Sequence, residues 1–166
     1  MKPLPQIWLL SDARNDAVLE RALRHLPRGS GFVFRHYHLP EEARRARWQA
    51  LARIARARGI SMILSGSARQ ARRWGADGSY GPHRGATLAT AHSLRELRQA
   101  SQGQAVLLSP VFPTRSHPGG KVLGVLRFRL LAARSPVPVI ALGGMSPAAN
   151  RRLKWPHWAA IDAFLR

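Results

Sequence analysis

Thr114, Arg115, Ser116 and His117 place a hydroxyl, a guanidinium, a second hydroxyl and an imidazole side by side. They belong to the stretch Leu107-Leu108-Ser109-Pro110-Val111-Phe112-Pro113-Thr114-Arg115-Ser116-His117-Pro118-Gly119, an apolar run that breaks into a proline-stiffened loop. Such a concentration of donors suits an oxyanion, above all a phosphate. A second apolar run, Val137-Pro138-Val139-Ile140-Ala141-Leu142, ends in Gly143-Gly144. With no side chain in the way, backbone N–H groups there can approach an anion closely. His36 and His38 form an H-x-H pair that could bind metal along one strand face. No third ligand is evident, so a surface or rim position is expected for both.

The elements that must carry these loops follow from apolar patterning. Ile7 to Leu10, Phe32 to His36, Ser61 to Leu64, Ser79-Tyr80, Thr87 to Ala91, Ala105 to Ser109, Val137 to Leu142 and Trp158 to Ala163 read as strands. Helices are predicted between most of them: Asp16–Leu26, a long one opening at Pro40-Glu41-Glu42 and stopped by Gly59, a short one to Trp74, and Leu123–Ala133. Ser93 with Glu96 makes a capping box for a helix reaching about Ala100, and Ser146-Pro147 starts a helical turn. Trp8, Trp48 and Trp74 are assigned to packing, and Trp155 and Trp158 to the last strand or a dimer contact. Strands alternating with helices predict a parallel α/β fold, and their number predicts a (β/α)₈ TIM barrel, with an open doubly wound sheet as the other arrangement. The barrel is trimmed. Gly81 to Ala86 leave no room for a helix after the fourth strand, and none follows the eighth. Apolar flanks left bare by this trimming favour a homodimer.

Composition narrows the class. The 166 residues fit a single domain, taken as residues 1–166. There is no cysteine, which excludes disulfides, thiolate zinc sites and a Cys nucleophile. The opening residues lack signal-peptide architecture, and no apolar run approaches the ~18 residues of a membrane span, so a soluble cytoplasmic protein is expected. The net charge of +19 comes from 24 Arg and 3 Lys against 8 acids. A nucleic-acid partner is not expected, because Arg44, Arg45, Arg47, Arg53, Arg56 and Arg58 are spread around one predicted helix with no aromatic stacking platform.

In a barrel frame the anchor stretch resembles the G-P-V-F-x-T-x-T-K loop of the thiamine phosphate synthase family, which also contains the thiazole tautomerases. Leu9-Leu10-Ser11-Asp12 is similar to that family's first strand ending in T-D, and Phe34-Arg35 to the L-R of its second. Gly75-Ala76-Asp77-Gly78 resembles G-A-D-G-V-H, Ala91-His92-Ser93 resembles S-V-H-S, and Ala141-Leu142-Gly143-Gly144-Met145 resembles A-I-G-G-I. The resemblance implies thiamine biosynthesis: a hydroxymethylpyrimidine pyrophosphate loses pyrophosphate to Mg²⁺, and a thiazole phosphate attacks the cation. It implies pyrophosphate contacts from Thr114, Ser116 and His117, a thiazole-phosphate site at Gly143 and Gly144, and a retained arginine at Arg35. Asp162 stands where the family offers Ser beside that phosphate.

The departures from the family concern the metal. The N-D pair that binds magnesium aligns with Ser65-Gly66, the second carboxylate falls in the trimmed Gly81–Gly85 segment, and a family lysine aligns with Tyr37. Only Asp12 and Asp162 remain as carboxylates for Mg²⁺, which prefers oxygen ligands. The synthase reaction is the first expectation, because the loop is the most complete feature retained. The alternatives are a metal-independent tautomerase using His92, although Tyr80 replaces a second family histidine, and a non-catalytic phosphate-ligand binder.

Overall fold

The computed structural model describes residues 3–164. Its strands are β1 (Ile7–Leu10), β2 (Gly31–Phe34), β3 (Ser61–Ser65), β4 (Gly78–Tyr80), β5 (Leu88–Ala91), β6 (Ala105–Leu108), β7 (Val139–Ala141) and β8 (Trp158–Ala160). Each pairs in parallel with the next, and β8 pairs with β1, so the eight strands close into a barrel. Outside lie α1 (Leu19–His25), α2 (Glu41–Ala57), α3 (Ala68–Trp74), α4 (Leu94–Gln99), α5 (Gly124–Ala132) and α6 (Pro147–Leu153). The order is that of a (β/α)₈ barrel.

Alternation along short strands sends one set of side chains inward and the other outward. Trp8, Leu10, Val33, Ile63, Tyr80, Leu88, Leu107, Ile140 and Ala159 fill the interior. Trp8 is the largest of these, and it fits because Gly31 has no side chain: a Cβ there would strike the indole. Outward residues make two separate layers. Leu9, Phe32, Phe34, Met62 and Leu64 pack under α1, α2 and α3 with Trp48, Leu51 and Trp74. Val106, Leu108, Val139, Ala141 and Trp158 pack under α4, α5 and α6 with Leu97, Phe128 and Leu153. The helix starts follow the caps read from the sequence. Ser93 Oγ accepts from Glu96 N–H at 3.3 Å, and Ser146 Oγ accepts from Ala149 N–H at 3.1 Å, ahead of Pro147 at the first turn. Glu96 reaches back one residue further than a capping box requires and takes the N–H of His92 at 2.9 Å.

The trimming falls where the spacing places it. Residues 81–87 contain no helix, and β4 meets β5 through one registered pair, Tyr80 with Leu88. Two further bonds hold this junction: Ser79 N–H to Thr87 Oγ1 at 3.1 Å and Gly81 N–H to Leu88 carbonyl at 3.1 Å. Among the described residues no helix follows β8. The uncovered β4–β5 flank carries the small residues Ser79 and Ala89, whereas the exposed large apolar side chains Leu126 and Leu130 lie on α5.

The seam between β8 and β1 is closed by a side chain. Asn15, fully buried, donates from Nδ2 to Leu10 carbonyl at 2.9 Å and to Ile161 carbonyl at 3.0 Å. Its Oδ1 accepts the N–H of Asp12 at 2.8 Å. Every polar atom of the amide is therefore matched to backbone, and deletion orphans buried groups at roughly 1–3 kcal/mol each. Asn15→Ala is expected to lower unfolding free energy by at least about 2 kcal/mol, measured by urea denaturation, with Asn15→Asp no milder because it sets a buried carboxylate oxygen against two carbonyl oxygens.

Candidate functional site

The C-terminal ends of all strands open on one rim, where barrel sites are built. The loop after β6 is draped over the end of β7. Val111 N–H donates to Leu142 carbonyl at 3.0 Å, and Phe112 N–H donates to Gly143 carbonyl at 3.0 Å. This close approach explains the paired glycines. A Cβ on Gly143 would lie 2.6 Å from Pro110 Cα, and one on Gly144 would strike Pro113 carbonyl oxygen and Phe112. Both also have left-handed backbone, with φ of +97° and +62°. Their N–H groups take no part in the backbone bonds of the loop.

Arg14, absent from the residues singled out by sequence, ties three loops together. Its Nη2 donates to Ser116 Oγ at 3.0 Å, its Nε meets Asp12 Oδ1 at 3.1 Å, and its Nη1 lies 3.5 Å from Asp162 Oδ2. Arg35 completes the cluster, with Nη2 at 3.1 Å from Asp12 Oδ2 and Nε donating to Ser11 carbonyl at 2.8 Å. Burial pushes the Asp12 carboxyl up, but bonds from the Arg14 N–H and guanidinium and the Arg35 and Arg14 charges outweigh it, leaving its pKa below the usual value. Asp162 thus faces a guanidinium. Thr114 Oγ1 accepts Ser116 N–H at 3.2 Å, while His117 is exposed with no side-chain hydrogen bond among the described residues.

Beside this cluster a cavity of about 330 Å³ is lined by Tyr37, Ser65, Gly66, Tyr80, Gly81, Pro82, His83 and Thr90. Tyr37 Oη and Ser65 Oγ share a short hydrogen bond across it. Burial pushes the Tyr80 phenol up to about 12, against a weaker opposing pull from Arg35. Tyr80 is therefore a proton donor and never a phenolate base at neutral pH. The donor set does not fit Mg²⁺. Among the described residues no carboxylate lines the cavity, and Asp12 and Asp162 already face arginines.

His92 stands at the end of β5 against the start of the β6 loop. Its Nδ1 lies 3.0 Å from Ser109 carbonyl and 3.2 Å from Ser109 Oγ. A carbonyl can only accept, so the ring proton sits on Nδ1 and Nε2 carries the lone pair. His36 lies at the rim, one of the two positions expected for it, but it is buried there, with Nδ1 at 2.8 Å from Ser11 Oγ and Nε2 at 2.8 Å from Asp16 Oδ1. Its backbone is left-handed at φ +46°, so the chain turns at the end of β2 instead of continuing the strand alternation assumed for an H-x-H.

The rim gathers hydroxyls, guanidiniums and glycine amides at the strand ends, where barrels of this architecture build their sites. The chain belongs to the thiamine monophosphate synthase family, whose model matches residues 8–156. It shares its fold with a thiamine phosphate pyrophosphorylase from Pyrococcus furiosus at a TM-score of 0.79 and 20% identity, over 96% of this chain and 87% of that one. A thiamine phosphate pyrophosphorylase from Bacteroides thetaiotaomicron gives a TM-score of 0.63 at 13% identity, over 96% of this chain and 84% of that one. No curated protein matches.

The lowered Asp12 pKa has a signed consequence. A depressed carboxyl contributes stability that is complete above its unfolded value, about 3.9, and is lost as pH falls through the lower folded value. Asp12→Asn is expected to be less stable than wild type at pH 7, with the gap closing progressively below about pH 4 in thermal denaturation series.

Proposed function

We propose that this chain binds a phosphorylated thiazole at the β6 and β7 loops and moves a proton on its ring with His92, without a metal ion. The observation that carries this reading is the division of the rim. Asp12 and Asp162 are committed to Arg14 and Arg35, while His92 is held by Ser109 with its other ring nitrogen unspent. General acid–base catalysis needs that orientation and no Lewis acid. Gly143 and Gly144 supply N–H groups to the phosphate, and Thr114, Ser116 and His117 supply side-chain donors. Tyr80, locked as a neutral phenol, serves as a hydrogen-bond donor across the cavity from the thiazole ring. Thiamine biosynthesis is the setting the family gives, and the proton transfer is the tautomerase branch of its chemistry.

A synthase reading rests on a different observation, the Arg14 and Arg35 pair beside Ser116, because fixed guanidiniums stabilise a departing pyrophosphate electrostatically. One set of assays separates the two. Isomerisation of a carboxythiazole phosphate, followed by NMR in EDTA, is expected with wild type. His92→Ala should lower its rate about 10²–10⁴-fold. A Thr114→Ala, Ser116→Ala double variant should raise KM with a smaller change in kcat. Thiamine phosphate formed from hydroxymethylpyrimidine pyrophosphate and thiazole phosphate would instead establish the synthase reaction. Absence of isomerisation by the wild type would overturn the tautomerase reading.

A further inference from the structure

Away from the phosphate loops, the turn after β2 and the loop after β1 bring three potential ligands together. One ligand atom from each of Asp16, His36 and His38 lies within 4.8 Å of the others. These residues come from the outer edge of the rim and do not line the cavity. We propose that Asp16, His36 and His38 form a separate binding site for one divalent transition ion of the zinc type.

The ligand chemistry fits such an ion: two imidazoles and one carboxylate are a common three-residue set, and the remaining positions are open to water. The local backbone is arranged around it. His36 adopts φ +46°, which is uncommon for a residue with a side chain, and Leu39 N–H closes a turn on His36 carbonyl at 3.2 Å. That turn brings His38 back over His36, with ring centroids 4.9 Å apart. His36 is itself held flat against Phe34, at 4.6 Å and 7° between planes.

A supporting layer is present on both sides. Ser11 Oγ lies 2.8 Å from His36 Nδ1, so an ion on Nε2 would leave the ring's proton on Nδ1 facing a hydroxyl acceptor. The same hydroxyl accepts Arg35 N–H at 2.7 Å, which links the site to the rim. Arg47 Nε orients Asp16 at 2.7 Å, and its guanidinium is balanced by paired contacts to Glu20, which limits its repulsion of a cation. The His36–Asp16 bond alone accounts for two members of the group. His38 is exposed and has no hydrogen bond among the described residues, and an ion gives it a partner.

The test is calorimetric titration of Zn²⁺ into the untagged full chain after EDTA stripping, with Co²⁺ absorption reporting coordination. One equivalent is expected to bind saturably, with Co²⁺ giving the intense visible bands of a four-coordinate site. His38→Ala should weaken binding at least about tenfold while leaving the metal-free melting temperature unchanged, since the side chain is exposed. Asp16→Asn should weaken it comparably, and His25→Ala, at the end of α1, should not. Absence of a one-equivalent saturable event would overturn the proposal. So would wild-type affinity in both His38→Ala and Asp16→Asn.

Discussion

The amide of Asn15 is the contact on which this barrel's working end depends. It joins the last residue of β1 to the first residue after β8 and fixes Asp12 through its backbone N–H. Asp12 in turn sets the positions of Arg14 and Arg35, and Arg14 reaches Ser116 on the β6 loop and Asp162 beyond β8. A buried, fully matched amide is costly to leave half-made, so it favours a single closure register. Barrel closure and rim geometry are therefore one structural event. The loop after β6 is held from its other side by β7, whose glycines exist to let it lie close.

The excess of arginine has a structural outlet that its surface distribution conceals. Arg44 donates to Arg35 carbonyl at 2.8 Å and to Ser65 carbonyl at 2.6 Å, while its guanidinium lies over Phe34, Tyr37 and Trp74. Arg56 takes Gly75 carbonyl, Arg58 takes Leu26 carbonyl, and Arg129 takes Leu153 carbonyl. With only 8 acids in the chain, these guanidiniums find their partners in carbonyls at or near the ends of strands and helices. Planar forks with several donors suit that task better than a lysine ammonium would. The α2 arginines are thus partly structural, which their even spacing around a helix could not show.

What was legible in the sequence was local or periodic. Strand alternation, the Ser93 and Ser146 caps and the short span from Tyr80 to Thr87 each depend on neighbours in the chain, and each appears where its pattern places it. The anchor loop and the double glycine could be read because their chemistry is contained in consecutive residues. Arg14 and Asn15 could not: the partners that give them meaning lie more than a hundred residues away, at Ser116, Asp162 and Ile161. The burial of His36 was missed for a different reason: the H-x-H pattern shows neither that the chain turns at His36 nor that Phe34 and Asp16 enclose its ring.

The two outer apolar layers are not equivalent at their edges. Ile7 and Phe164 pack against both, so the layers merge across the β1–β8 seam. Among the described residues none is shared between them on the β4–β5 side, where one registered pair and a helix-free connection complete the ring. The first and last strands, β1 and β8, meet at the more strongly bonded seam, and continuous polypeptide spans the weaker one. A circular permutation that links the segment after β8 to the segment before β1 and opens the backbone near Pro82–Gly85 would put the break where no outer core is cut. Strands β5–β8 would then precede β1–β4, each half keeping the helices that cover it.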